Sequence, residues 1–139
     1  MRAIIEPSAS HFGPAIQGLK VIHFGWDDCY RVQVLRYLGY EVCESESLDE
    51  LRRNLEGENA VDAVIISEGL PHIIDQAATM VRQHSAAPLI LFCRSEGILD
   101  ESQFDRVYSS FVPPDLWVSE TATLIERGCS TGRCLTTAI

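Results

Sequence analysis

Apolar positions along this chain fall into two spacings that alternate. Leu19-Lys20-Val21-Ile22-His23-Phe24 is a short, nearly continuous apolar run closed by Gly25, the pattern of a buried strand followed by a turn. Arg31, Val34, Leu35 and Leu38 then recur at helical spacing on one face. Asp27 and Asp28 are placed to cap that helix and Gly39 to close it. Tyr40 to Glu44 alternates as a second strand. Ser47-Leu48-Asp49-Glu50 is a capping box that opens a helix with the stripe Leu48, Leu51, Leu55. Ala63-Val64-Ile65-Ile66 is the most β-branched run and is expected to be the central strand. Ile74, Ala77, Ala78 and Val81 mark the buried face of a third helix, and Pro88 opens the apolar strand Leu89 to Cys93.

Beyond Cys93 the pattern weakens. Asp100 to Phe104 supports a turn or two of helix. Val107 to Val112 reads as a fifth strand interrupted by Ser109 and Ser110, and Pro113-Pro114 ends it. Asp115 or Ser119 is expected to cap a last helix with Leu116, Ala122, Leu124 and Ile125 inward. Apolar strands flanked by helices indicate a parallel sheet covered on both faces. Right-handed crossovers leave a three-layer, doubly wound α/β fold of flavodoxin type, strand order 2-1-3-4-5, with an atypical fourth helix.

The length of 139 residues suits one domain. The expected organisation is an arm over 1–18, a domain over 19–127 and a flexible tail over 128–139. No apolar stretch is long enough to span a bilayer, and Met1 to Gly18 lacks the layout of a secretory signal. Asp and Glu outnumber Lys and Arg by 20 to 11, for a net charge of −9. Phosphate-backbone binding needs clustered cations, so direct nucleic-acid binding and docking on an anionic membrane are not expected. Five cysteines at irregular spacing, with no CxxC pair, fit thiols in a reducing, cytoplasmic compartment.

Several landmarks occur in a telling order. Lys20-Val21-Ile22 opens strand one, and Gly39-Tyr40-Glu41-Val42 joins helix one to strand two. Asp62 to Ile66 is followed by Pro71, and Ala87-Pro88-Leu89-Ile90-Leu91-Phe92 forms strand four. Together they resemble the receiver domain of bacterial response regulators, the phosphoryl-accepting module of two-component signalling. Helix one is about a turn short for that family.

The resemblance implies where phosphoryl chemistry would sit. Counting back from Pro71 puts Ser67 where the family has its acceptor Asp. Counting on from Pro88 puts Cys93 at the hydroxyl switch position. Pro113-Pro114 stands where a Lys-Pro pair belongs, and Gly25-Trp26 where an acidic, metal-holding pair belongs. The one lysine of the chain, Lys20, is at the start of strand one. Such chemistry needs a carboxylate nucleophile, Mg²⁺ on oxygen ligands and a cation on the phosphoryl group. The site is therefore expected to be dead, with no metal and no cofactor. Asp27, Asp28 and Glu68 would be a residual acidic site, with Glu68 as a permanent charge.

The expected function is a phosphorylation-independent, non-enzymatic signalling module that binds a protein partner or a second copy of itself. The apolar group Pro113, Pro114, Leu116 and Trp117 is the candidate face. The alternative is a small-molecule binder or enzyme using a pocket at the strand ends near Trp26, Ser67, Cys93 and Pro113. A third reading is a receiver phosphorylated by an unusual route. His23 and His72 lack a partner at ligand spacing and read as packing or surface residues. No dinucleotide, P-loop, hydrolase or zinc-protease motif occurs.

Overall fold

A computed structural model describes residues 17–27, 29–57, 60–67, 71–93 and 101–130. Five parallel strands form one sheet in the order β2-β1-β3-β4-β5. They are β1 (Lys20–Gly25), β2 (Glu41–Ser45), β3 (Ala63–Ser67), β4 (Leu89–Cys93) and β5 (Arg106–Ser109). The helices are α1 (Arg31–Leu38), α2 (Leu48–Leu55), α3 (Pro71–His84) and α4 (Pro114–Ser130). The expected fold class and strand order hold. Between β4 and β5 the described residues contain one 3-10 turn, Glu101–Gln103.

Side chains alternate across the strands and divide the core in two. Val21, Ile65, Ile90, Phe92 and Tyr108 pack under α1 and α4, which contribute Val32, Leu35, Trp117 and Ile125. Ile22, Val64, Ile66, Leu89 and Leu91 pack under α2 and α3, with Leu51, Leu55, Ile74, Ala77 and Val81. β3 is fully buried, as its β-branched run implies.

Local corrections follow from geometry. The Ser47 hydroxyl accepts the Glu50 amide at 3.1 Å, but Glu50 reaches back to the amide of Glu46 instead of that of Ser47, at 2.6 Å. Neither Asp115 nor Ser119 caps α4. The helix opens at Pro114, and the Pro113 carbonyl accepts from Leu116 and Trp117, a position suited to a residue that lacks an amide hydrogen. The inward seam of α4 is Trp117, Thr121 and Ile125, with Leu116 turned outward. α4 continues to Ser130, three residues past the expected domain end. Residues 17 and 18 of the expected arm are described, and the rest of the arm and tail lies outside the described residues.

No helix among the described residues is long and apolar enough to cross a membrane.

Candidate functional site

The C-terminal ends of the strands are where this fold gathers its loops, and here they converge on Arg31. The β1–α1 connection turns sharply. Gly25 has φ 105°, and a Cβ there would stand 2.1 Å from the Ser67 carbonyl oxygen, so only glycine lets β1 leave the sheet this close to β3. Asp27 then caps α1 from a distance: one carboxylate oxygen accepts the Arg31 amide at 2.6 Å and the other the Val32 amide at 3.1 Å. To let the side chain reach forward, Tyr30 adopts a left-handed conformation, φ 59° and ψ 34°.

That cap aims Arg31 across the top of the sheet. Its guanidinium donates to the Ser67 hydroxyl at the end of β3 through Nη2. Nη1 donates to the Ser110 carbonyl just past β5 at 3.4 Å, and the guanidinium carbon lies 4.1 Å from the centroid of the Phe92 ring on β4. One side chain from α1 thus touches the ends of three strands. Ser67 and Phe92 are register partners, and Phe92 is held in turn by Tyr108 at 5.3 Å and by Trp117, edge-on at 5.6 Å. Arg31 and Ser67 are each 1% exposed and Phe92 is 0%. The Cys29 thiol donates to the same Ser110 carbonyl at 3.4 Å and ties the β1–α1 loop to the end of β5.

His23 stands on the same sheet face as Ser67 and is buried, and its Nε2 has no hydrogen-bond partner among the described residues. Burial lowers its pKa to about 4, with the Asp27 carboxylate raising it and the Arg31 cation lowering it further.

The residues singled out in the sequence separate. Gly25 and Ser67 meet, as register partners. Asp27 is at the site, but both its oxygens serve the helix cap. Trp26 is exposed. Cys93 points to the other face, where it packs beside the α2–α3 core, and its carbonyl accepts the Ser110 amide at 3.2 Å. Pro113 is exposed and contributes a capping carbonyl. Lys20 lies at the opposite edge, its ammonium on the Asn54 carbonyl at 3.2 Å. Asp28 and Glu68 lie outside the described residues. Among the described residues no three His, Cys, Asp or Glu side chains cluster as metal ligands.

Arg31, Phe92 and Ser110 are the site residues that motif counting missed. The signal for Arg31 was a long cation in register with the apolar stripe Val34, Leu35 and Leu38.

No protein-family model matches the chain, and none of the curated proteins does. Solved structures do. The N-terminal domain of a response regulator/sensory box/GGDEF 3-domain protein from Carboxydothermus hydrogenoformans is similar over 81% of this chain and 98% of that one, with a TM-score of 0.66 and 13% identity. The non-phosphorylated HemR receiver domain from Leptospira biflexa matches over 77% and 94%, with a TM-score of 0.62 and 15% identity. A chain of the complex between histidine kinase ThkA and response regulator protein TrrA matches over 76% and 97%, with a TM-score of 0.62 and 20% identity. At these identities the likeness is one of fold: the chain has the fold of receiver domains.

Proposed function

We propose that this chain is a receiver-like signalling module that works without phosphoryl transfer, through contact with a protein partner. The observation that carries the reading is the Arg31–Ser67 contact. Where the resemblance places an acceptor carboxylate there is a serine, and a guanidinium from α1 already covers it. A phosphoryl donor would have to displace a cation that is hydrogen-bonded to the ends of β3 and β5 and stacked on Phe92. It would then meet a hydroxyl whose hydrogen-bond partner among the described residues is a cation and not a base. The described cation that would serve the phosphoryl group thus enters from the α1 side, and it is committed to packing.

The receiver fold supports a place in two-component signalling, and the ThkA–TrrA structure shows a related fold engaging a protein. Because fold and function are separable, the site argument bears the greater weight. The net charge of −9 speaks for a protein partner over nucleic acid or an anionic membrane, and the thiols for a cytoplasmic setting. A small-molecule binder or enzyme at the strand ends would need Arg31 to leave its place.

Incubation with acetyl phosphate and Mg²⁺, followed by intact-mass spectrometry, tests the proposal. The expected result is no adduct, both for the wild type and for Ser67→Asp, because restoring the carboxylate leaves Arg31 in place. A stable adduct of one phosphoryl group on the wild type, lost on Ser67→Ala, would overturn it.

A further inference from the structure

The two helices on the Phe92 face of the sheet turn half-covered flanks towards each other. On α1, Arg36 reaches the β2 edge, where it donates to the Val42 carbonyl at 3.0 Å and pairs with Glu44 at 3.4 Å. Val34 and Leu38, two residues to either side, stand about 160° round the helix from Arg36. On α4, Glu120 faces the β5 edge, where it accepts from the Tyr108 hydroxyl at 2.5 Å and pairs with Arg106 at 3.6 Å. Val118 and Ala122 are two residues to either side of Glu120. Because β2 and β5 are the outer strands, the flanks opposite Arg36 and Glu120 line one seam over the middle of the sheet. Val34, Leu38, Val118 and Ala122 are its walls, each partly exposed. Tyr37, one turn from Val34, stands at its lip and is 71% exposed.

The seam opens at the N-terminal edge of the sheet. Both helices meet Phe92, α1 through the Arg31 guanidinium and α4 through the Trp117 indole. From that level α1 runs only to Leu38, whereas α4 runs to Ser130, about 10 Å further at the helical rise. So α1 does not wall the last turns of α4. The chain enters the fold at this foot of the seam. The Gly18 amide donates to the Gly39 carbonyl at 3.3 Å, and the Glu41 amide donates to the Leu19 carbonyl at 2.8 Å. Gln17 and Gly18 form an exposed turn. The segment before it, residues 1–16, carries Ile4, Ile5, Phe12 and Ile16.

From this we infer that residues 1–16 pack back along the α1–α4 seam, with Phe12 between Tyr37 and the Val118–Ala122 wall. Apolar groups on both sides would leave water together. The segment is joined to the foot of the seam, so its effective concentration there is high and a few contacts hold it. Residues 131–139 leave from the same edge and offer Leu135 and Ile139. The arm is the better occupant because it starts beside the last residue of α1 and adds an aromatic ring to three isoleucines. It is then a built-in cover, which a protein partner for this face must displace.

The test is NMR of the full chain with labelled methyl and aromatic groups. The Phe12 ring is expected to show nuclear Overhauser contacts to the methyls of Val34, Val118 and Ala122. Phe12→Ser should shift the Val118 and Ala122 methyl signals by removing the ring current. Tyr37→Ser, at an exposed side chain, should weaken the Phe12 contacts at least twofold. The Leu55 and Ala78 methyls, in the core on the other sheet face, should not move in either variant and so report an intact fold. Phe111→Ser, at a side chain 74% exposed just past β5, should leave the Phe12 contacts unchanged. Absence of contacts between residues 1–16 and the seam would overturn the assignment, as would contacts made there by Leu135 or Ile139 instead. A mixed sample of differently labelled copies gives a further check. Phe12 contacts that appear only between copies would give the seam to a second molecule and also overturn it.

Discussion

The guanidinium carbon of Arg31 lies 4.1 Å from the centroid of the Phe92 ring while the same group bonds Ser67. Burying a guanidinium costs several kcal/mol on general grounds. Here the flat cation is stacked on an aromatic face and donates to two strand ends, which offsets much of that cost. The contact also makes one end of the sheet depend on a single side chain.

Arg31→Ala is expected to lower unfolding free energy by about 3 kcal/mol, from the cavity over Phe92 and the Ser67 hydroxyl left without its donor, while the Ser110 carbonyl keeps the Cys29 thiol. Arg31→Met keeps most of the volume and should cost about half as much. Arg31→Lys should lie between them, because an ammonium cannot reproduce the planar fork. Urea denaturation reads all three. An Arg31→Ala variant as stable as the wild type would show that the tether carries no weight.

Gly25 and Gly18 form a matched pair. Both have positive φ, 105° and 81°, but a Cβ on Gly25 would meet the Ser67 carbonyl at 2.1 Å whereas one on Gly18 meets nothing within 4 Å. Gly18→Ala should cost about 1 kcal/mol for backbone strain alone. Gly25→Ala should cost more than about 3 kcal/mol or prevent folding. Parallel thermal melts check the contrast, and equal losses would contradict it.

His23 predicts a pH dependence. Its pKa is lowered on folding from 6.5 to about 4, so the unfolded chain takes up the proton first. The neutral form's contribution is whole above pH 6.5 and is lost as the pH falls through that value towards 4. The difference is roughly 3 kcal/mol. Urea midpoints of wild type and His23→Leu at several pH values should converge at low pH on the variant's side, with the variant's profile flatter over this window. Parallel profiles would remove His23 as the cause.

Leu116 and Trp117 are neighbours with different duties. Trp117 is 3% exposed and packs edge-on against Phe92, whereas Leu116 is 45% exposed. Trp117→Ala should cost about 3–5 kcal/mol, and Leu116→Ala within about 0.5 kcal/mol, by urea denaturation. Sedimentation of Leu116→Ala beside the wild type tests whether Leu116 also serves self-association. A dimer present in the wild type and absent in the variant would assign it that role.

Much of the architecture was legible in the residues, because period and punctuation are local. The apolar runs at Val21, Ala63 and Leu89, the capping box at Ser47 and the breaks at Gly39 and Pro88 point to an alternating parallel fold without reference to distant contacts. That a serine, Ser67, stands four residues before Pro71 was also legible, since it needs only a count. What holds that serine was not. Arg31 reads as one more member of a helix stripe until the strand order brings the ends of β3, β4 and β5 within reach of its side chain. Only then do Ser67, Phe92 and the Ser110 carbonyl, from positions up to 79 residues away, share one guanidinium. The phase of α4 also required the assembled core, since Leu116 and Trp117 are equally apolar in sequence and the Phe92 ring selects the indole. Local pattern determined the elements, whereas long-range packing decided which charged side chain is buried and which aromatic ones stay outside.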